Sequence, residues 1–484
     1  MSLRLTKLVR RDLPVDPEIT GVTADSRKVK PGFLFAALPG SRADGAAFAA
    51  KAVEAGAAAV IADQDLNLAV PTVICRDPRR GYALAAANFW GRQPQVCVAV
   101  TGTNGKTSVA NFCRQIFAGA GHVSASMGTL GVTVSRPDRT HQQLTPPGLT
   151  TPDAGDVAEL LMRMTQLGVT HFAMEASSHG IDQRRLDGVR LTAAGYLNLT
   201  QDHLDYHGTM ESYRGAKLRL FEQLMPRGAT AVLNADSEAF PFFAAASVVS
   251  GQRVMSVGET GQALRLLERV LLPEGQRLTI RAEGAIHEVR LPLAGGFQAS
   301  NALIAAGLCR AAGMGLEAVF AGLETLQGAP GRMQRVGAGP RGGEAYVDYA
   351  HTPDGLATVL EALRPHTRGR LVVVFGAGGD RDRGKRPLMG QVASALADVA
   401  IVTDDNPRSE VPAAIRAEVL VGAKAAREIG DRREAIRTAV AMLNDGDILV
   451  VAGKGHEQGQ IVGDTVHPFD DVEETAKALE LVHG

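Results

Sequence analysis

Residues 99–109 read AVTGTNGKTSV, an apolar run that passes through a glycine-rich turn into Lys106-Thr107 and then a helical pattern. Glycines at 102 and 105 let the backbone curl so that several N–H groups face one anion. The start of the following helix adds the positive end of its dipole. From this position Lys106 can reach the β- and γ-phosphates of a nucleotide, and the Thr107 hydroxyl can bind Mg²⁺. The spacing GxxGKT is shorter than the common GxxxxGK(S/T) loop. Two polar clusters follow, Met174-Glu-Ala-Ser-Ser-His-Gly180 and Asn198-Leu-Thr-Gln-Asp-His-Leu-Asp-Tyr-His-Gly208. A carboxylate (Glu175) and an imidazole (His203) beside a triphosphate are reasonable Mg²⁺ ligands.

These residues need elements that aim them at one place. Val96 opens a strand-like run, VCVAV, and His171–Met174, Ala194–Leu197 and Ala231–Leu233 are further buried-strand candidates. Short continuous apolar runs between helices predict a mostly parallel sheet covered on both faces. Leu371–Phe375, Val399–Val402 and Ile448–Val451 repeat the pattern, and each runs directly into Gly, Asp or Asn or nearly so. Polar clusters just past parallel strands are where open α/β sheets place ligands. The region 250–292 alternates more and predicts an antiparallel excursion, followed by a helix near Ser300–Ala312. Gln93-Pro-Gln95 and Gly328-Ala-Pro-Gly331 punctuate the chain, dividing it into three blocks, 1–94, 95–329 and 330–484.

The 484 residues carry 51 Lys+Arg against 52 Asp+Glu, a net charge of -1, so no global field draws the chain to nucleic acid or to a membrane surface. Anionic ligands must be held by local sites. The four cysteines form no CxxC pair, which predicts reduced thiols. No signal-peptide pattern opens the sequence, and no apolar run approaches the roughly 18 residues of a membrane span. A cytoplasmic monomer is expected, with neither nucleic acid nor a membrane among its partners.

TGTNGKTS, EASSHG and NLTQDHLDYHG, in this order, resemble the Mur ligase superfamily, most closely its diaminopimelate-adding members. The resemblance extends through DSR at 25–27, VDYAHTPD at 347–354, GDRDRGKRP at 379–387, DDNPR at 404–408 and GKGHE at 453–457. It implies an α/β protein of three domains: a precursor-binding domain (1–94), a central P-loop-type ATPase domain (95–329) and a C-terminal Rossmann-like domain that binds the amino acid (330–484). It further implies that Lys217 is carbamylated, turning a cation that would repel Mg²⁺ into an anionic ligand. Lys106, Glu175, His203 and Lys217 would then be catalytic, with Thr107, Glu175, His203 and the carbamate around what are expected to be two Mg²⁺ ions.

ATP would lie on Gly102, Thr103, Asn104, Gly105, Lys106, Thr107 and Ser108, with Asn301, Arg332, Asp348 and His351 as further contacts. Gln298 stands where the family usually carries Asn. The UDP-linked precursor, UDP-N-acetylmuramoyl-L-Ala-D-Glu, would meet Ser26, Ser41, Arg42, Ala43, Thr150, Thr151, Ser177, Gln183 and Arg185. meso-Diaminopimelate would meet Arg381, Asp405, Asn406, Pro407, Arg408, Gly453 and Glu457. Pro407 stiffens its loop, so Arg408 can hold a bidentate grip on the distal carboxylate that L-lysine lacks. The implied reaction activates a carboxylate as an acyl phosphate, which the amine then displaces. Competing readings are a lysine-adding ligase, a folylpolyglutamate synthetase-like ligase and a nucleotide-gated scaffold without ligase activity.

Overall fold

The run Val96–Thr101 is buried at every position and lies at the centre of a parallel sheet, as its unbroken apolar character requires. The computed structural model of the chain describes residues 2–40, 44–138, 140–145, 149–272, 275–339 and 341–481. Two compact units are present: Met1–Leu266 with Arg281–Ala285 and Asn301–Gly322, and Leu267–Ile280 with Ile286–Ser300 and Leu323–Gly484.

The first unit begins with a small parallel sheet of β1 (Gly21–Thr23), β2 (Phe33–Ala36), β3 (Ala59–Ala62) and β4 (Thr72–Ile74). Helix α1 (Pro78–Trp90) follows, its start capped by the Asp77 side chain and fixed by Pro78, its end released by Gly91 at φ 70°. Next come β5 (Val96–Thr101), α2 (Lys106–Gly119), β6 (Ser124–Gly128), β7 (Gly131–Ser135), β8 (His141–Thr145), α3 (Ala154–Gln166) and β9 (His171–Glu175). After them come β10 (Ala193–Tyr196), α4 (Met210–Arg219), β11 (Thr230–Asn234) and β12 (Arg253–Gly258). Their order in the sheet is β8-β7-β6-β9-β5-β10-β11-β12. The β6–β7–β8 edge is antiparallel and the remaining pairs are parallel. Thus β5, β9 and β10 are neighbours whose C-terminal ends carry the phosphate loop, Glu175 and Asn198.

The antiparallel excursion expected from residue 250 does not begin there. β12 runs parallel to β11, and the start of the strand Leu264–Leu272 runs parallel to β12. A helix, Phe240–Val249, precedes β12 and makes the return crossover that parallel pairing needs. The helix expected near Ser300 spans Gly296–Ala311.

In the second unit, β13 (Gln334–Ala338), β14 (Glu344–Asp348), β15 (Leu371–Phe375), β16 (Val399–Val402), β17 (Arg427–Glu428) and β18 (Ile448–Ala452) form one sheet, ordered β13-β14-β18-β15-β16-β17. Only β13 is antiparallel to its neighbour. Helices α5 (Pro353–Leu363), α6 (Lys385–Leu396), α7 (Arg432–Ala441) and α8 (Asp471–Leu481) cover two apolar cores, one on each face. A hairpin of β19 (Gly459–Val462) and β20 (Thr465–Pro468) precedes α8. Among the described residues, no helix is long and apolar enough to cross a membrane.

Candidate active site

The loop between β5 and α2 has the shape its glycines predict, with Gly102 at φ 157° and Gly105 at φ 89°. Neither tolerates a side chain: a Cβ at Gly105 would lie 2.3 Å from Asn301 Oδ1, and one at Gly102 would lie 2.8 Å from Leu197 Cβ. Asn198 braces the loop from the end of β10, its Oδ1 accepting the N–H groups of Thr103 (3.1 Å) and Asn104 (2.9 Å). Thr103 Oγ1 donates to Thr200 O (3.1 Å) and accepts the Thr200 N–H (2.9 Å). Lys106 curls back over the loop, donating to the carbonyls of Gly102 (3.0 Å) and Thr103 (2.8 Å). Thr107 follows at the first turn of α2, half-buried, and Ser108 is buried behind it.

Lys217, on α4, reaches the same loop. Its Nζ donates to Gly102 O at 2.8 Å and lies 4.4 Å from the centre of the Tyr213 ring. The side chain is 1% exposed. Burial, with the nearby Lys106 charge second, holds its amine well below the usual lysine range. Glu175, at the end of β9, is also buried; Oε1 accepts the Thr129 N–H (2.8 Å) and Oε2 the Thr129 hydroxyl (3.3 Å). Gly128 is required beside it, since a Cβ there would lie 1.8 Å from Glu175 Oε1. His203 takes a left-handed backbone, φ 53°, and packs edge-on to His179 at 4.9 Å. His207 Nε2 is 3.0 Å from Ser178 Oγ. Among the described residues no three His, Cys, Asp or Glu side chains gather as a metal-binding group.

Thr150, Thr151, Ser177, Gln183 and Arg185 come together beside Glu175. Thr129 Oγ1 is 3.0 Å from Thr150 Oγ1, and Thr151 Oγ1 is 3.0 Å from Ser177 Oγ. Arg185 donates to Thr151 O (2.5 Å) and Gln183 Oε1 (2.7 Å). Ser26 sits apart, on a short 3₁₀ turn capped by the Asp25 side chain. Ser41, Arg42 and Ala43 lie outside the described residues.

The second unit holds the other expected residues. Asp348, buried at the end of β14, accepts the N–H groups of Met333 (2.6 Å) and Ala350 (2.8 Å). Burial raises its carboxyl above the ordinary value. Arg332 lies 4.5 Å above the Tyr349 ring, and His351 Nδ1 lies 2.8 Å from Tyr349 O. Arg408 follows β16 in a left-handed conformation, φ 52°. Its guanidinium donates to Gly379 O at 2.8 Å. Asn406 Nδ2 donates to Glu457 Oε2 at 2.8 Å. Asp405 accepts the Asn406 N–H at 2.6 Å, and Gly453, φ 123°, leaves room for its other oxygen. Pro407 is buried against Gly379, while Arg381 is exposed and donates to Asp380 O (3.2 Å). Gln298 is buried at 1% exposure in this unit.

Three domain families match in succession: Mur ligase family, catalytic domain, at residues 18–88; Mur ligase middle domain at 100–309; and Mur ligase, glutamate ligase domain, at 331–455. A UDP-N-acetylmuramoyl-L-alanyl-D-glutamate–2,6-diaminopimelate ligase of Caulobacter vibrioides is 69% identical, with 100% of both chains covered. The chain belongs to the Mur ligase family. A relative of the same name from Brucella melitensis is 54% identical over 96% of this chain and 94% of that one. A solved structure of a ligase so named matches with TM-score 0.77 at 34% identity, each chain covered in full. A Mycobacterium tuberculosis folylpolyglutamate synthase matches with TM-score 0.60 at 20% identity, covering 84% of this chain and 95% of that one, a likeness of fold alone.

Within this Mur ligase, several residues that frame the site carried no assigned role in the sequence. Asn198 and Tyr213 stand inside or beside quoted motifs, but only the fold shows that one braces the phosphate loop and the other underlies Lys217. Lys454, fully buried, donates to Asn406 Oδ1 (3.0 Å) and Glu457 Oε2 (3.1 Å). Behind it the Arg432–Asp471 pair is wholly buried, with Nη2 2.7 Å from Asp471 Oδ2. The same nitrogen donates to Ala452 O at 3.0 Å, and Nη1 reaches Asp404 O at 3.4 Å. That guanidinium therefore ties the end of β18 to the loop that carries Asp405–Arg408. The aspartate, 39 residues downstream, had no motif to mark it.

Proposed function

We propose that this chain is an ATP-dependent, ADP-forming ligase that adds meso-2,6-diaminopimelate to UDP-N-acetylmuramoyl-L-alanyl-D-glutamate during peptidoglycan precursor synthesis. The end-to-end likeness, at 69% identity, to a ligase whose name states that precursor and amino acid carries this reading. In the reaction a precursor carboxylate oxygen bonds to the γ-phosphorus and the bond to ADP breaks. The amine nitrogen then bonds to the acyl carbon, phosphate leaves, and one amine proton is lost. Lys106, at the mouth of the phosphate loop, holds the migrating phosphoryl group and offsets its charge.

Lys217 is the site of a carbamate in this reading. Its buried, neutral-leaning amine has the nucleophilic form that takes up CO₂, and the product oxygens would suit a divalent cation. Thr107, Glu175, His203 and the carbamate would hold two Mg²⁺ ions, which when bound supply charge neutralisation for the phosphate oxygens. Residues 1–94 serve the uridine diphosphate end, 95–329 the ATP, and 330–484 the amino acid. Arg332, Asp348, His351 and Asn301 extend the ATP site. Arg408 takes the amino acid's distal carboxylate and Glu457 its ammonium group, with Arg381, Asp405, Asn406, Pro407 and Gly453 as further contacts. The enzyme is read as a cytoplasmic monomer.

The test is ADP release by the purified chain. Release that requires both the UDP-muramoyl dipeptide and diaminopimelate supports the assignment. Equal use of L-lysine would favour a lysine-adding ligase, release with folate and glutamate a folylpolyglutamate synthetase, and ATP binding without release a scaffold.

A further inference from the structure

A small cavity of about 120 Å³ in the first unit is lined by Arg79, Arg185, Gln183, Asp153, Tyr82 and Leu38, among others. Five guanidiniums gather on the elements around it. Three are paired with carboxylates: Arg184 with Asp77 at 2.7 Å, Arg219 with Asp187 at 2.5 Å, and Arg80 with the same Asp187 at 3.6 Å. The other two, Arg79 and Arg185, are the two that line the cavity, and among the described residues neither has a carboxylate within ion-pair distance.

Asp153 is the one carboxylate in the lining, and its Oδ1 is already engaged. It accepts the Tyr82 hydroxyl (2.9 Å) and, as the cap of α3, the Gly155 N–H (2.9 Å). Arg185 is held in place by Thr151 O and Gln183 Oε1. Arg79 is held by Pro39 O. Arg79 also occupies the first turn of α1, where the helix dipole disfavours a cation. Two guanidiniums at one cavity without an ion-pair partner, repelling each other, one of them placed against the dipole and only the Asp153 charge nearby, is an arrangement that a further anion relieves.

We infer that Arg79 is a specificity residue for the precursor, forming with Arg185 a two-guanidinium subsite for an anionic group of the UDP-linked substrate. This rests on the precursor reading above. The anion is either a carboxylate of the dipeptide or a phosphate of the diphosphate, since one side of the lining is Arg185, bonded to Thr151 O, and the other is Leu38 and Arg79.

Calorimetric binding of UDP-N-acetylmuramoyl-L-Ala-D-Glu to wild type, Arg79→Ala, Arg79→Lys and Arg185→Ala tests it. Arg79→Ala should weaken binding about 10-fold or more, with Arg79→Lys recovering only part, because an ammonium lacks the planar fork. The KM for ATP should not move. The melting temperature should hold or rise, since a cation leaves a helix N-terminus. UDP-N-acetylglucosamine, which has the diphosphate but no carboxylate, separates the sources: an equal loss assigns the phosphate, no loss the carboxylate. Arg79→Ala binding the dipeptide precursor within twofold of wild type overturns the inference. If Arg185→Ala is then still weakened, the precursor reading stands; if wild type does not bind the precursor, that reading falls too.

Discussion

Replacing Arg408 by alanine perturbs one guanidinium whose surroundings the structure defines closely. Its backbone is pinned on both sides by the β19–β20 hairpin, Arg408 N donating to Ile461 O (3.0 Å) and Gly463 N donating to Arg408 O (2.7 Å). One of its five N–H groups is spent on Gly379 O, leaving the rest of the fork for a carboxylate. Truncating one partner of a hydrogen-bonded charge pair costs about 2–5 kcal/mol, and the half-buried position of Arg408 places it in the lower part of that range. About 2–3 kcal/mol corresponds to roughly 30- to 150-fold in kcat/KM for diaminopimelate. The KM values for ATP and precursor should stay near wild type. The φ of 52° supplies a control: Arg408→Gly relieves backbone strain, so it should be at least as stable as Arg408→Ala yet equally poor with diaminopimelate. The assay is kcat/KM with diaminopimelate and with L-lysine for wild type and both variants. Equal use of lysine by wild type, or an unchanged diaminopimelate-to-lysine ratio in Arg408→Ala, refutes the reasoning.

Lys217→Ala should lower ligation by at least about 100-fold, and a short-chain carboxylate should restore part of it where bicarbonate does not; near-wild-type turnover would rule out the carbamate. Gly128→Ala forces a methyl group into Glu175, so kcat should fall about 100-fold while calorimetric precursor affinity holds, and an unchanged kcat would mean Glu175 need not keep its place. Arg432→Met strands Asp471 as a buried charge and should cost about 3–5 kcal/mol in urea unfolding, much of it recovered in Arg432→Met/Asp471→Leu; a double variant no better than the single contradicts this. Hydrogen bonding to Arg386 pushes the Glu410 carboxyl down to about 2 from its ordinary 4.5. Its folded value is the lower one, so the stability it contributes is present above pH 4.5 and is lost as pH falls from there through about 2. Arg386→Met should flatten the melting temperature's decline across that window, and parallel curves would show that the pair does not control acid stability.

The phosphate loop was legible because its requirements are local. Glycines at 102 and 105 take the conformations that curl the backbone, and an apolar run before them becomes a buried strand whatever surrounds it. The strands Leu371–Phe375 and Val399–Val402 were readable for the same reason, as was the polar loop after the second. The direction of β12 was not, because alternation describes which faces are buried and says nothing of pairing direction; the crossover helix before it makes this strand parallel.

Lys217 shows the boundary most sharply. On α4 it is one lysine among polar neighbours, and only resemblance singled it out. Its character comes from meeting Gly102 O, 115 residues away, and the Tyr213 ring, with its side chain buried. Lys454 and the Arg432–Asp471 pair owe their roles to the same kind of meeting, across 48 and 39 residues. Arg79 and Arg185 lack an ion-pair partner because Asp77 and Asp187 pair with Arg184, Arg80 and Arg219, while Asp153 accepts the Tyr82 hydroxyl and caps α3. Backbone conformation follows from a few consecutive residue types. Desolvation and charge pairing depend on which distant elements meet, and tertiary packing decides that.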